Sequence, residues 1–384
     1  MYRNCTMWEI FVSFFRLGLI GFGGPIALVA LIEREICENK KWLTLEEFAE
    51  IFSVCKLLPG PMAVQVAICC GYNRGKRWGG FIAGIAFLLP ALIMIIALSF
   101  LYTKNLNPNS PHLIHVFKFM QDATIAVILM ALLNLGQGYI KNYTSAAIAI
   151  FCTWWVWHQP SMEPIIILTF GILGLLIYKA RDINLYHFPA VVAASATSVM
   201  SGVKSDFIYN KLVQMFWVCI KAGEFSFGTG LAIIPLLHAD MVTNHQWLTN
   251  QQFIDGLTLG QITPGPTTVS IVFYGFMIAG IPGLLVSLLG FYIPPMINAL
   301  VIIPIFWKKL NGSPYLKVFT MWAFPAVIGG IASATLKLGV ESVTSLLDVA
   351  LLIIALFVLY RKLLPIWALI PLYGALGLAW GYWL

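Results

Sequence analysis

Charge is the first thing that this sequence lacks. Only 10% of its 384 residues are charged, whereas 60% are hydrophobic, and the mean hydropathy is +0.86. An ordinary soluble domain is about 25% charged, and no aqueous fold could hide so much apolar surface from water. The shortage of charge therefore excludes a soluble protein and indicates an integral membrane protein.

Long hydrophilic stretches and catalytic motifs are missing too. No hydrophilic stretch exceeds about 15 residues, which leaves no room for a nucleotide-binding or receptor domain. HExxH, GxSxG and Walker motifs are absent. The seven cysteines form no CxxC pair and the six histidines have no metal-ligand spacing. We therefore predict a protein that is not an enzyme and that uses no ATP, cofactor or metal.

The net charge of +7 admits two interpretations. A basic protein can bind nucleic acid, but basic cytoplasmic loops are the usual source of positive charge in a membrane protein. We therefore expect the lipid bilayer as a partner and no nucleic acid.

Apolar stretches are abundant. A spanning helix needs about 20 apolar residues, and eight stretches are of about that length: 8–32, 48–72, 78–102, 118–140, 207–237, 252–278, 283–306 and 318–338. Four are shorter: 143–158, 162–178, 344–360 and 364–383. Runs such as 87–101 are apolar all round, unlike the alternating strands of a β-barrel. The sequence predicts about twelve helical crossings.

An internal repeat divides the chain. Residues 16–90 and 221–295 align without a gap at a constant offset of 205. The matched landmarks include Gly18 with Gly223, Trp42 with Trp247, Pro59-Gly60-Pro61 with Pro264-Gly265-Pro266, Gly75 with Gly280, and Pro90 with Pro295. We predict an N-terminal repeat at 1–180, a connecting segment at 181–205 and a C-terminal repeat at 206–384.

Matched loops of the two repeats differ in charge. Loops 33–47 and 73–78 carry six Lys and Arg residues, and their counterparts 238–252 and 278–283 carry none. Because cytoplasmic loops are enriched in Lys and Arg, the equivalent loops face opposite compartments. Such inversion needs an odd number of crossings before the second repeat, and 186–202 could supply one. Segment 48–72, which lies between both basic loops, either spans the membrane or re-enters it.

Glycine and proline interrupt each repeat twice. Residues 21–25 are matched by 226–230, and 58–61 by 263–266. Proline and glycine end helices, and free backbone in a membrane must line protein or a wet cavity. A helix that restarts there offers unpaired N–H groups to an oxyanion. The fold class predicted is an all-α polytopic membrane protein of two inverted-topology repeats with broken helices, whose four breaks could converge on a substrate. The alternative is that these residues only kink or pack helices.

The candidate substrate-binding residues are the glycines of the breaks and the polar side chains near them. They are Gly23, Gly24, Lys56, Gly60, Gln65, Gly228, Thr229, Gly230, Gln261, Thr263, Gly265, Thr267, Thr268 and Ser270. Hydroxyls and amides suit a hydrated tetrahedral anion, and polar groups are costly in lipid.

Charged side chains near the breaks form a second group of candidates. Arg16 and Lys221 occupy equivalent positions from which they could attract an anion, or they could reach the headgroups. Glu224 could pair with Lys221 or couple protons to transport. Lys56 needs a substrate, water or a carboxylate such as Glu50 as its partner.

These motifs resemble those of the chromate transporter family. The similarity spans the whole chain and fits the long, two-repeat form of the family. The motifs that carry it are Phe22-Gly23-Gly24-Pro25, Leu57-Leu58-Pro59-Gly60-Pro61, Glu224-Phe225-Ser226-Phe227-Gly228, Thr263-Pro264-Gly265-Pro266 and Ala279-Gly280-Ile281-Pro282-Gly283.

The resemblance implies a protein of the prokaryotic plasma (inner) membrane that exports chromate, or a sulfate-like oxyanion, without ATP and often as a homodimer. An anion channel of the same architecture is the alternative. The sequence departs from the family pattern at three positions. Leu28 replaces a common His, Lys56 replaces Gln and Thr229 replaces Gly.

Overall fold

The computed structural model describes residues 7–22, 24–104, 111–181, 210–228, 230–310 and 312–383. The described chain is almost entirely helical, as predicted. Its helices are α1 (Met7–Ile20), α2 (Gly24–Glu33), α3 (Leu45–Leu57), α4 (Met62–Lys104), α5 (Pro111–Tyr139), α6 (Tyr143–His158), α7 (Glu163–Arg181), α8 (Lys211–Glu224), α9 (Ile234–His238), α10 (Asn250–Ile262), α11 (Ser270–Ile297), α12 (Ile303–Leu310), α13 (Pro314–Ser342), α14 (Leu346–Tyr360) and α15 (Ile366–Trp383).

Short irregular elements extend or join these helices. Turns of π-helix follow α2, α9 and α11 at Arg34–Asn39, Ala239–Asn244 and Asn298–Ile302. Turns of 3₁₀-helix lie at Pro160–Met162, Leu231–Ile233 and Thr267–Val269. Two strands of two residues each, β1 (Gly60–Pro61) and β2 (Phe227–Gly228), pair with each other.

All four predicted breaks interrupt their helices, and the chain reverses at each one. We call these reversals tip 1 (residues 21, 22 and 24), tip 2 (58–61), tip 3 (225–228 and 230) and tip 4 (263–268). In the first repeat, the Nζ of Lys40 lies 3.6 Å from a carboxylate oxygen of Glu9, across tip 1. The Sγ atoms of Cys55 and Cys69 lie 3.8 Å apart, across tip 2. The two arms at each tip therefore lie side by side.

The second repeat folds back in the same way. Lys221 forms an ion pair with Asp240, across tip 3. The hydroxyl of Tyr274 donates a hydrogen bond of 2.9 Å to the carbonyl oxygen of Phe253, across tip 4. Segment 48–72 is thus a hairpin whose two arms lie side by side, as the re-entrant alternative requires. Its counterpart 252–278 is a hairpin as well.

The long helices α4 and α11 also fold back. Backbone angles leave the helical region at Gly75 and Lys76 in α4, and at Ala279 and Gly280 in α11. A Cβ atom placed on Gly84 would lie 2.7 Å from Cγ1 of Ile68, whereas 16 residues of straight helix span about 24 Å. Each long helix is therefore two antiparallel helices joined by a tight turn.

The repeat register changes by one residue before these turns. Lys76, with φ 55 and ψ −147, matches Gly280, with φ 61 and ψ −144, so the offset there is 204. The pairings of Gly75 with Gly280 and of Pro90 with Pro295 at 205 were therefore wrong. The offset of 204 persists after the turns, since Phe291 contacts Gly223 as Phe87 contacts Gly18, and Pro90 thus matches Pro294. A 3₁₀ turn, Thr267–Val269, replaces α-helix in the second repeat. Three residues rising about 2.0 Å each cover the length of four that rise about 1.5 Å, which accounts for the missing residue.

Before the tips, the offset of 205 holds in detail. Thr44 begins α3 and Thr249 begins α10, each with its side chain accepting a hydrogen bond from the backbone N–H three residues later. Glu47 and Gln252 complete the two capping boxes. These caps satisfy N–H groups that a helix start leaves free, so the repeated Trp-Leu-Thr sequence marks where the second hairpin of each repeat begins.

Helices of the two repeats interleave. Within each repeat the first helix packs on the long kinked one, α1 on α4 and α8 on α11. A Cβ on Gly18 or Gly223 would lie 3.0 Å from the carbonyl carbon of Phe87 or Phe291, so glycine permits these two close crossings. Between repeats, α5 packs against α14 and α15, while α13 packs against α6 and α7. The core is thus shared by both repeats.

Among the described residues, five segments are long and apolar enough to cross a membrane by length and composition: Met62–Lys104, Ile114–Tyr139, Pro160–Lys179, Thr267–Trp307 and Pro314–Ser342. The predicted count of about twelve crossings took each of the four tip hairpins as one crossing, although each of them folds back on itself. The connecting segment 181–205 lies, apart from residue 181, outside the described residues. The repeat boundaries stay predictions.

Candidate functional site

Tip 2 of the first repeat pairs with tip 3 of the second. Strand β1 lies parallel to β2, with Gly60 opposite Phe227 and Pro61 opposite Gly228. The amide of Gly60 donates a hydrogen bond of 2.8 Å to the carbonyl oxygen of Ser226. Backbone that leaves the helix at these two tips therefore finds a partner in the other repeat.

Tip 4 pairs with tip 1 in the same manner. The amide of Gly265 donates to the carbonyl oxygen of Gly21 at 2.6 Å. This bond is the repeat equivalent of the first one, since 60 + 205 is 265 and 21 + 205 is 226. The two repeats thus exchange one hydrogen bond each, which is the reciprocity that a two-fold relation between them requires.

Tips 3 and 4 also touch. A Cβ on Gly230 would lie 2.7 Å from Cγ2 of Thr268. Together with the two backbone pairs, this contact links tip 1 to tip 4, tip 4 to tip 3 and tip 3 to tip 2. The four breaks converge.

Each tip contains one glycine in the left-handed region of backbone conformation. The φ angles are 83° at Gly24, 124° at Gly60, 72° at Gly230 and 92° at Gly265. Residues with a Cβ rarely adopt these angles. Glycine at these four positions therefore allows the chain to reverse within a few residues, whether or not the glycines also bind a substrate.

A small cavity lies between tips 3 and 4. Four predicted residues line it, namely Gly230, Gln261, Thr267 and Ser270, and its other walls are apolar side chains that include Phe253 and Leu257. The side chains of Gln261 and Thr267 make no hydrogen bond to another described residue. Ser270 donates to the carbonyl oxygen of Thr267 at 3.1 Å. Polar groups in an apolar wall are typical of a small-ligand site, and in this conformation the cavity has room for about one water molecule, so an anion would need it to widen.

The other predicted hydroxyls of tip 4 are occupied. Thr263 donates to the carbonyl oxygen of Gly260 at 2.8 Å, and the Thr268 hydroxyl lies 3.0 Å from that of Tyr292. Both threonines are buried. Their hydrogen bonds hold the tip in shape.

Tip 2 has its own polar cluster. The Nε2 of Gln65 donates to the carbonyl oxygen of Pro59 at 2.5 Å. The Nδ2 of Asn298 donates to the same oxygen at 3.2 Å and to a carboxylate oxygen of Glu224 at 3.4 Å. The hydroxyl of Ser226 is fully buried and has no hydrogen-bond partner among the described residues. A buried, unpaired hydroxyl beside the backbone of two tips is available to a ligand.

Asn298 and Tyr292 did not emerge from the sequence as candidates. Asn298 begins a π-helical turn just after Pro294 and Pro295. Such π-turns are frequent at functional sites, so the double proline was the available signal.

The charged candidates lie apart from the cavity. Lys56 is exposed, and its Nζ lies 5.5 Å from the centroid of the Tyr139 ring. Arg16 is exposed. Of the alternatives for Lys221 and Glu224, pairing with each other is not what the structure shows, since Lys221 pairs with Asp240. The reason is that the hairpin brings Asp240 back to α8, while Glu224 bonds to Asn298.

Two further candidates, Gly23 and Thr229, lie outside the described residues. Gly228 is paired in β2. The structure thus gathers the glycines of the tips and most polar candidates in one region. Their role in binding stays a prediction.

The sequence model of the family described as "Chromate transporter" matches residues 8–175 and 213–378. This chain belongs to the chromate transporter family. A chromate transport protein of Cupriavidus metallidurans is 30% identical to it over 373 residues, covering 93% of this chain and 89% of the relative. A probable chromate transport protein of Synechococcus elongatus is 31% identical over 349 residues, covering 87% and 84%. A chromate transport protein of Pseudomonas aeruginosa is 28% identical over 342 residues, covering 86% and 80%. No solved structure matches the chain.

Membership of the chromate transporter family agrees with the fold. The two matched regions correspond to the two repeats, and the bacterial relatives together with the apolar helices identify a multi-pass protein of the plasma membrane. In this chromate transporter the tips of both repeats meet in the protein interior, where broken helices of membrane transporters commonly bind their substrates.

Proposed function

We propose that the protein is a secondary transporter that exports chromate, or a related sulfate-like oxyanion, across the plasma membrane, and that the anion binds at the tips between the two repeats. The observation that supports this proposal is the reciprocal pairing of Gly60 with Ser226 and of Gly265 with Gly21. It brings four interrupted helices to one place in a chain that otherwise offers an anion few polar groups.

The binding chemistry would rest on neutral donors. The amide of Gln261 and the hydroxyls of Thr267 and Ser226 make no hydrogen bonds to other described residues. Helices also restart beside the cavity, and the start of a helix carries partial positive charge. Neutral donors can hold an oxyanion and still release it, because no full opposite charge traps the anion.

The position between inverted repeats supports a carrier mechanism. A site that both repeats share can be exposed to either side when one repeat moves against the other. The two backbone pairs are contacts between the repeats at the proposed site itself, so transport would require them to shift.

The membrane potential can drive export without ATP. A divalent anion that leaves a cell with an inside-negative potential gains about 4.6 kcal/mol per 100 mV, twice the value for one charge. Export is therefore downhill, and we propose that the chain needs neither a nucleotide nor catalytic chemistry.

Uptake of labelled chromate or sulfate into liposomes that contain only this protein tests the proposal. The variant Gly265→Ala places a Cβ 3.2 Å from that of Ala91 at a φ of 92°. A left-handed residue costs about 1–2 kcal/mol and would displace tip 4, so we expect uptake about 5- to 30-fold slower. Gly339→Ala is the matched control, since an added Cβ there meets nothing within 4 Å.

The outcomes separate the alternatives. If the wild-type protein takes up neither anion, the proposal is contradicted. If Gly265→Ala and Gly339→Ala give equal uptake, the tips are not the binding site. Single-channel currents in planar bilayers would favour the anion channel, because a carrier moves too few ions per second to give such currents. Inside-out vesicles from cells would give the direction of transport.

A further inference from the structure

Three ionisable side chains from three elements meet beside tip 3. They are Glu163 at the start of α7, Lys221 on α8 and Asp240 on the π-turn that continues α9. Lys221 and Asp240 form an ion pair across the hairpin. The Nδ2 of Asn244 donates to Oδ1 of Asp240 at 3.2 Å and to the hydroxyl of Ser161 at 2.8 Å. Because Ser161 lies two residues before Glu163, this link joins α7 to the hairpin.

Glu163 is the unusual member of the cluster. It is 2% exposed, and neither of its carboxyl oxygens has a hydrogen-bond partner among the described residues. A Cβ on Gly330 would lie 3.0 Å from the carboxyl carbon of Glu163. The absence of a side chain at Gly330 of α13 thus leaves the space that the carboxyl group fills. The carboxyl group of Glu163 lies in the protein interior and does not extend to the surface.

Charged and titratable groups from several elements surround Glu163. Lys221 on α8 and Asp240 on the hairpin interact with it electrostatically, and α6 contributes the thiol of Cys152. Helix α9, which packs against α7, ends at His238, whose imidazole is hydrogen-bonded to Asn250 at 2.7 Å, and α13 presents Gly330. Lys221 is thus the cation that interacts with both acids, and its ammonium group already pairs with Asp240.

Charge balance then favours a neutral Glu163. An ionised carboxylate that is buried without a hydrogen bond costs several kcal/mol, whereas the protonated acid carries no charge into the interior. Buried ionisable groups in membrane proteins commonly mark proton paths. We propose that Glu163 binds a proton and that its uptake and release of this proton are coupled to oxyanion transport, an inference that rests on the function proposed above.

The hairpin of tip 3 supplies the coupling. When Glu163 loses its proton to water on the side to which the protein is open, the carboxylate competes with Asp240 for Lys221. Lys221 lies four residues before tip 3, and Asp240 lies on the returning arm. Weakening of their ion pair loosens the two arms that hold tip 3 against tip 2. Return of a proton to Glu163 restores the pair.

The test uses full-length protein in liposomes with the membrane potential clamped. We expect an imposed pH gradient to change the rate of labelled chromate or sulfate uptake severalfold in the wild type. In Glu163→Gln, which mimics the protonated acid, we expect this response to be lost while exchange of labelled for unlabelled anion at equal pH persists. Glu46→Gln is the control, because Glu46 is exposed on α3, and it should keep the pH response.

Infrared spectroscopy gives an independent measurement. The spectrum of the wild type minus that of Glu163→Gln should contain the carbonyl band of a protonated carboxylic acid, and the corresponding difference for Glu46→Gln should not. A missing band, or a pH response that persists in Glu163→Gln, overturns the inference. A sodium gradient that drives uptake where a pH gradient does not also overturns it. If the wild type transports an anion at a rate that does not depend on the pH gradient, the coupling is refuted and the proposed function stands. If it transports neither anion, both the coupling and the proposed function are refuted.

Discussion

The ammonium group of Lys56 lies over the ring of Tyr139, 5.5 Å from its centroid. Tyr139 in turn stacks on Phe324 of α13, with the ring centroids 4.1 Å apart. A cation over an exposed aromatic face gains about 0.5–1 kcal/mol. The last turn of α3, just before tip 2, thus carries a positive charge that an aromatic pair spanning both repeats holds in place.

We expect Lys56→Gln, which restores the residue common in the family, to weaken anion attraction. A charge contribution of about 1 kcal/mol corresponds to a KM for chromate or sulfate about fivefold higher, with kcat little changed. The effect should shrink at high ionic strength. Lys141→Gln is the control, since Lys141 is exposed on the loop after α5. The same KM in both variants would contradict an attractive role for Lys56.

The turn inside α4 stores backbone strain that its counterpart in α11 avoids. Lys76 has a φ of 55°, where Gly280 has 61°. A non-glycine residue in this region costs about 1–3 kcal/mol. We expect Lys76→Gly to raise the thermal unfolding temperature in detergent. We expect Gly280→Ala to lower it, although the new Cβ meets nothing within 4 Å, so strain is its main effect. Equal temperatures for both variants would contradict the paired turns.

A buried carboxylate joins three helices away from the tips. Asp255 of α10 is fully buried and accepts hydrogen bonds of 2.7 Å from the hydroxyl of Tyr102 and from Nε2 of Gln121. Removing one donor leaves a buried acceptor unpaired, so Tyr102→Phe should destabilise the protein by about 1–3 kcal/mol. Tyr143→Phe, at a position 96% exposed, should change stability by less than about 0.5 kcal/mol. Thermal unfolding of both variants measures the difference.

The two arms at tip 2 can be tested by oxidation. Sulfur atoms 3.8 Å apart in Cys55 and Cys69 need a small approach to reach the disulfide length of about 2.05 Å. We expect copper-phenanthroline to join these residues within one chain, as peptide mass spectrometry would show. Cys55→Ser is the control. Recovery of both thiols unlinked after oxidation would argue against the re-entrant hairpin.

Much of the fold followed from the sequence because glycine and proline act locally. A residue that must adopt positive φ, such as Gly60 or Gly265, shows where a helix ends whatever surrounds it. Duplication then made each break visible twice. The number of crossings did not follow, since a hairpin and a spanning helix have the same apolar composition, and only contacts such as that between Tyr274 and Phe253 distinguish them.

The candidate site followed only in part, for a related reason. The sequence located the tips, but contacts between elements far apart in the chain decide which polar groups stay free. Asn298 donates a hydrogen bond to Glu224, and the fold of the hairpin places Asp240 beside Lys221. Likewise, the one-residue change of register depends on a 3₁₀ turn that an ungapped alignment cannot detect.

The exchange of backbone hydrogen bonds between repeats has an evolutionary consequence. Gly60 of the first repeat and Gly265 of the second each donate a backbone hydrogen bond to the other half, to Ser226 and Gly21. A one-repeat ancestor of this fold would have needed a second copy in the opposite orientation to form both bonds. After gene fusion, a mutation at one tip alters a bond made by the other half, so the two halves must evolve together even where their sequences diverge.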